Sequence, residues 1–123
     1  MTNCPCGYGE PYSSCCGRYH RGAQPPTAEA LMRARYSAFA LGDERFLRDT
    51  WHAGTRPSGP LLDEAVTWTG LAVTGRDGGG LLEPTGTVEF TARYRRPDGS
   101  TGRLRERSRF VREHGGWRYL GPD

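Results

Sequence analysis

The first sixteen residues carry all four cysteines of the chain, Cys4, Cys6, Cys15 and Cys16, in the spacing Cys-x-Cys-x8-Cys-Cys, and no other feature restricts the fold as strongly. Two close pairs joined by a short loop can bring four sulfurs to the corners of a tetrahedron, the arrangement Zn²⁺ takes with sulfur at about 2.3 Å. Gly7 and Gly9 follow the first pair and let the backbone turn tightly, so that amides can point back at the sulfurs; Gly17 follows the second pair. The alternatives are two disulfides or free thiols. A bond between the adjacent Cys15 and Cys16 would be strained. The chain opens Met1-Thr2-Asn3-Cys4-Pro5-Cys6, without the basic region and apolar run of a secretory signal. It contains no run of about 18 apolar residues that could span a membrane. A cytoplasmic location is therefore expected, and in that reducing compartment clustered cysteines bind metal more often than they cross-link. Four sulfur ligands fill the coordination shell, so the expected cofactor is a structural zinc without an open position.

The length, 123 residues, suits one small domain with a real core. Residues 1–26 lack helical periodicity and end at Gln24-Pro25-Pro26. Thr27 then offers an N-cap, Glu29 suits the first turn, and Leu31, Ala34, Ala38 and Leu41 form a helical stripe over 28–41 that stops at Gly42. Asp43 can cap a short second helix through about Thr50 that buries Phe46 and Leu47. Gly54, Pro57, Gly59 and Pro60 make 53–60 a loop. Alternation then predicts strands over 66–74, 85–96, 102–113 and 117–120, with turns at 75–80, 97–101 and Gly115-Gly116. Helices followed by an antiparallel meander predict an α+β fold with helices packed on one sheet face. The core of this part is expected to lie apart from the cysteine segment. A three-residue hairpin loop would place Tyr94 opposite Leu104, Ala92 opposite Glu106 and Phe90 opposite Ser108, turning Glu106 and Ser108 inward.

The stretch from Cys4 to Gly17, Cys-Pro-Cys-Gly-Tyr-Gly-Glu-Pro-Tyr-Ser-Ser-Cys-Cys-Gly, resembles the SEC-C zinc motif. Together with Leu31-Met32-Arg33-Ala34-Arg35-Tyr36-Ser37-Ala38-Phe39, Thr50-Trp51-His52, Thr55-Arg56-Pro57 and Glu106-Arg107-Ser108-Arg109-Phe110, it makes the whole chain similar to the YchJ family of small uncharacterised bacterial proteins. The resemblance implies a SEC-C-like zinc-binding segment over 1–26 and a nuclear-transport-factor-two-like domain over 27–123, a curved sheet wrapped by helices into a cone with a pocket. Tyr8 stands between the glycines where the motif usually carries serine, and Glu10-Pro11-Tyr12 follows where it usually carries lysines.

In such a cone the pocket candidates are Arg35, Tyr36, Trp51, His52 and Glu106. Trp51-His52 would lie near the mouth, where a histidine could serve as acid or base. An inward Glu106 would serve either as a base or as the ion-pair partner of Arg33 or Arg35. All 17 basic side chains are arginine, a bias we attribute to genome composition. Arg93, Arg95, Arg105 and Arg107, with Arg103 and Arg109, are expected on the outer face of the long hairpin, Arg93 opposite Arg105 and Arg95 opposite Arg103. That face is either anion-binding or simply solvated. The formal charge is +3, which four thiolates and one divalent ion lower by two, so nucleic acid is not expected as a partner. Two functions remain open. One is a binding module that docks a protein through the zinc motif and holds a small ligand in the cone. The other is a small pocket enzyme using His52 and Glu106 for general acid/base chemistry.

Overall fold

The structure is a computed structural model and describes residues 3–123. A one-turn 3-10 segment, Tyr12–Ser14, precedes α1 (Cys16–His20), α2 (Ala28–Leu41) and α3 (Glu44–Asp49). Four strands follow: β1 (Thr67–Gly78), β2 (Thr85–Arg95), β3 (Thr101–Glu113) and β4 (Gly116–Pro122). They form one antiparallel meander in sequential order. The two longer helices begin and end where their caps predict. The Thr27 hydroxyl accepts the Ala30 N–H at 3.1 Å, Gly42 closes α2 in the left-handed region at φ 79°, and the Asp43 carboxylate accepts the Phe46 N–H at 3.1 Å. Helix α1 was not expected, because five residues are too few to show a period.

Strand β1 runs four residues past its predicted end, through a glycine-rich segment expected to turn. The first half of β2 needs a ladder partner, and Gly75, Arg76, Asp77 and Gly78 stand opposite Glu89, Val88, Thr87 and Gly86. Pairing across the sheet overrides the weak local propensity of glycine. Irregularities between Trp68 and Gly70 and between Val73 and Gly75 bend this edge over the helices.

The β2–β3 register differs from the expected one by two residues. The Arg96 N–H reaches the Ser100 carbonyl at 2.8 Å and the Gly99 N–H the Arg96 carbonyl at 2.9 Å, so the loop closes on Pro97-Asp98-Gly99 rather than one position later. Ala92 therefore faces Leu104, Phe90 faces Glu106 and Val88 faces Ser108. A shift of two keeps parity, so every side chain stays on its expected face.

Helix α2 lies across the concave face of the sheet. Val88, Ala92, Phe110, Trp117 and Tyr119 pack beneath it in the same buried cluster as Leu31, Met32, Ala34 and all four cysteines. The core is therefore continuous, contrary to the separate core expected, because α2 contacts the sheet with one side and the cysteine segment with another. After α3 the chain forms a single parallel bridge between Trp51 and Tyr119. The Tyr119 N–H donates to the Thr50 carbonyl and the His52 N–H to the Tyr119 carbonyl, both at 2.8 Å. Alternation across that bridge sends Trp51 and His52 to opposite sides. Among the described residues no helix is long and apolar enough to cross a membrane.

The β1–β2 turn is pinned to the start of α2, where the Ala28 N–H donates to the Gly79 carbonyl at 3.0 Å. A Cβ on Gly86 would stand 2.4 Å from the Gly79 Cα, backbone that cannot yield without breaking this contact. Gly86→Ala is expected to cost about 1–3 kcal/mol in urea denaturation. Gly59→Ala, with no atom within 4 Å of the new methyl, should stay within about 0.5 kcal/mol of the native protein. Equal midpoints for the two variants would contradict this account of the turn.

Candidate metal centre and cavity

Two backbone features bring the cysteines together. A bridge between Asn3 and Pro11, with the Cys4 N–H on the Glu10 carbonyl at 2.8 Å, closes a loop that carries Cys4 and Cys6. The 3-10 turn then reverses the chain so that Cys15 and Cys16 start α1 beside them. Gly17 is required here, since a Cβ would lie 2.7 Å from the Tyr12 carbonyl oxygen. All four side chains are buried and none is in a disulfide. Their sulfurs lie within 4.8 Å of one another. The Cys6 and Cys15 sulfurs are 3.7 Å apart, close to the edge of about 3.8 Å in a tetrahedron with 2.3 Å metal–sulfur bonds. Four convergent soft donors fit a thiophilic ion.

The cluster already favours one thiolate. A hydrogen bond from Cys16, helped by the Tyr8 backbone N–H, holds the Cys6 thiol down at about 5 against the opposing effect of burial. Burial and the neighbouring Cys6 push Cys15 up to about 12, and Cys16 rises as well, chiefly through its hydrogen bond to Cys6. A divalent ion favours the charged form of its sulfur ligands, so its binding releases protons from the site.

Helix α2 supports the cluster from below. Ser37, fully buried, places its hydroxyl 3.4 Å from the Cys4 sulfur. Arg33 donates to the Cys6 carbonyl at 3.0 Å, pairs with Glu29 at 2.9 Å and lies 5.2 Å from the centre of the Tyr8 ring. His20 clamps the segment from the other side. Its Nε2 donates to the Ala34 carbonyl at 2.9 Å, which can only accept, and its Nδ1 lies 2.6 Å from the Tyr12 hydroxyl oxygen. Ser37 was not predicted as a partner of this site. The only sequence signal for Ser37 is a small polar residue set among the apolar residues of a helix.

Between α2 and the sheet lies a cavity of about 290 Å³. Of the five candidates, Arg35, Tyr36, Trp51 and Glu106 line it; His52 does not. Turned away by the bridge to β4, His52 pairs its Nε2 with Glu113 at 3.3 Å and accepts the Gly54 N–H on Nδ1 at 3.0 Å. The His52–Glu106 acid/base pair therefore does not assemble. Glu106 also lacks the arginine partner expected for it. Its Oε2 accepts from the Tyr119 hydroxyl at 2.8 Å and from the Ser108 hydroxyl. Arg33 is engaged at the cysteine segment, and Arg35 donates from Nη1 to the Leu47 carbonyl and the Thr50 hydroxyl, both at 2.8 Å. Burial holds the Arg35 guanidinium down at about 10. Tyr119 is a cavity residue that sequence reading missed, although the alternation of Trp117 and Tyr119 along β4 marks both as inward.

The outer face of β2 and β3 carries Arg93, Arg95, Arg103, Arg105, Arg107 and Arg109, all exposed. The true register sets Arg93 against Arg103, rather than Arg105, and Arg95 against Thr101. Arg105 approaches Glu89 at 3.7 Å and Arg107 pairs with Asp123 at 3.2 Å, which lowers the charge available to an anion.

The family model described as YchJ, middle NTF2-like domain, matches residues 27–122. A UPF0225 protein of Streptomyces coelicolor is 51% identical over 117 residues, covering 94% of this chain and 90% of its own. Another from Deinococcus radiodurans is 46% identical over 118 residues, covering 95% and 85%. The solution structure of a SEC-C motif containing protein from Rhodopseudomonas palustris superposes with a TM-score of 0.84 at 35% identity, covering 99% of this chain and 98% of that one. The crystal structure of a SEC-C motif containing protein from Psychrobacter arcticus gives 0.80 at 29% identity, covering 99% and 82%.

The cavity also sets a pH response. Burial, and then the Glu106 carboxylate to which it donates, raise the Tyr119 phenol above its ordinary value. A phenol raised in the folded state adds stability that is complete below its unfolded pKa of about 10 and is lost as pH climbs beyond it. Arg35, depressed in the folded state, acts in the opposite sense over the same range. The unfolding free energy of Tyr119→Phe in urea is expected to be lower at pH 8, by about 1.5–3 kcal/mol for the lost hydrogen bond to a carboxylate, yet to fall less between pH 9 and 11.5 than that of the native protein. Parallel pH profiles would remove Tyr119 from the alkaline transition.

Proposed function

The chain belongs to the YchJ family, and on that premise we propose that it is a cytoplasmic, zinc-organised binding module. In this reading Cys4, Cys6, Cys15 and Cys16 hold one structural Zn²⁺, the segment around them docks a protein partner, and the cone behind them holds a small ligand. The observation that carries it is the set of four buried sulfurs within 4.8 Å of one another, seated on α2. Four thiolates complete a tetrahedral shell and leave no position for substrate or water, which assigns the ion to architecture rather than catalysis. Ser37 and the Tyr8 N–H supply the outer hydrogen bonds that such sulfur sites use to orient their ligands. The cavity is near the lower end of the range of about 300–1,000 Å³ for small-molecule sites, and its wall is mostly aromatic and aliphatic with a few polar groups. No such convergence of groups supports the acid/base enzyme.

Native mass spectrometry of the freshly purified chain tests the metal. A single zinc per chain is expected, lost on unfolding in chelator. Cys15→Ser should lower zinc affinity by more than about 100-fold, beyond the roughly 10–100-fold effect of losing an outer-shell partner that is expected for Ser37→Ala. Because the cysteines share the core with α2, Cys15→Ser should also lower the thermal midpoint of the whole domain rather than loosen residues 1–26 alone. Full zinc occupancy in Cys15→Ser, or a native chain without metal, would overturn the assignment.

A further inference from the structure

The two charged groups of the cavity share it without satisfying each other. Arg35 uses Nη1 on its two acceptors, and its guanidinium carbon lies 5.0 Å from the Trp51 ring centre and 4.3 Å from that of Tyr119. Among the described residues no carboxylate comes within 4.0 Å of it, and its Nε and Nη2 make no hydrogen bond. Glu106 receives both of its hydroxyl donors on Oε2, while Oε1 receives none from the described residues. The enclosure thus offers one cation with donors to spare and one anion with an acceptor to spare.

The rest of the wall is apolar, with Met32, Phe39 and Phe90 beside Tyr36 and Trp68. The Trp68 ring meets Tyr36 and Tyr94 edge-on at 6.2 and 5.6 Å. Flat rings pack well against such walls.

Charge decides what the polar end accepts. An anionic head would satisfy Arg35 but face the Glu106 carboxylate in a poorly screened space, and a cationic head would satisfy Glu106 but face Arg35. A neutral head that carries an acceptor beside a donor fills both vacant positions without adding charge. We infer that the cavity takes a small, flat, uncharged molecule with an amide-type edge, its carbonyl directed to Arg35 and its N–H to Glu106 Oε1. This rests on the reading of the cavity as a ligand site.

Three probes with one ring system separate the possibilities: 2-naphthamide, 2-naphthoate and 2-naphthamidinium, titrated into the full native chain at neutral pH by calorimetry. The amide is expected to bind at least about tenfold tighter than either ion, the penalty for leaving a buried polar group unpaired. Glu106→Gln keeps the side-chain size and leaves Arg35 as the only charge in the cavity, so the order should invert and naphthoate should bind best. If either ion binds the native chain as tightly as the amide, or Glu106→Gln leaves the order unchanged, the neutral-edge inference falls while the ligand-site reading stands. If none of the three binds at millimolar concentration, the ligand-site reading falls with it.

Discussion

The packing of α2 against the curved sheet is the contact on which everything else rests. Eight of its fourteen residues are buried, among them Arg35 and Ser37. A helix enclosed on most sides must find partners for its polar groups or leave them at a cost. Here the polar groups are divided among the elements around the helix. Ser37 and Arg33 face the cysteine segment, Arg35 ties α2 to the end of α3 through Leu47 and Thr50, and the carbonyl of Ala34 receives His20. The cysteine loop, the short helix and the cavity roof are thus held by one element.

This sharing explains what could be read from the sequence. The bounds of α2 and α3 follow from local chemistry, Thr27 and Asp43 as caps and Gly42 as a stop, and those signals do not depend on the rest of the chain. The stripe of Leu31, Ala34, Ala38 and Leu41 is less faithful. Leu41 is 55% exposed, whereas Arg35 is 5% exposed, because the helix has partners on more than one side. The strand faces were legible because alternation fixes parity, and parity survives a register shift of two. The shift itself turns on whether Pro97 or Asp98 begins the loop, a choice made by backbone hydrogen bonds that composition does not reveal.

The candidate sites show the same division. A cysteine spacing is a short-range pattern, and its four sulfurs converge through a loop of a few residues. The cavity is a long-range product. Arg35, Trp51, Glu106 and Tyr119 come from four elements, and whether a side chain enters depends on alternation at a single bridge. Trp51 enters and His52 does not, although they are neighbours in the chain. Residue type alone offered both side chains to the cavity; backbone geometry selects the indole.

Burial of the sulfurs has a kinetic side. The Cys6 side chain is fully enclosed and the other three cysteines are nearly so, with α2 beneath and the His20 clamp alongside. An ion held there could not be reached by a competing ligand until the segment lifts from the helix. Exchange would then proceed at the frequency of that local opening, whatever the strength or concentration of the competitor. The lifetime of the metal would be set by the fold, in the way a buried amide proton exchanges on the schedule of the structure that covers it.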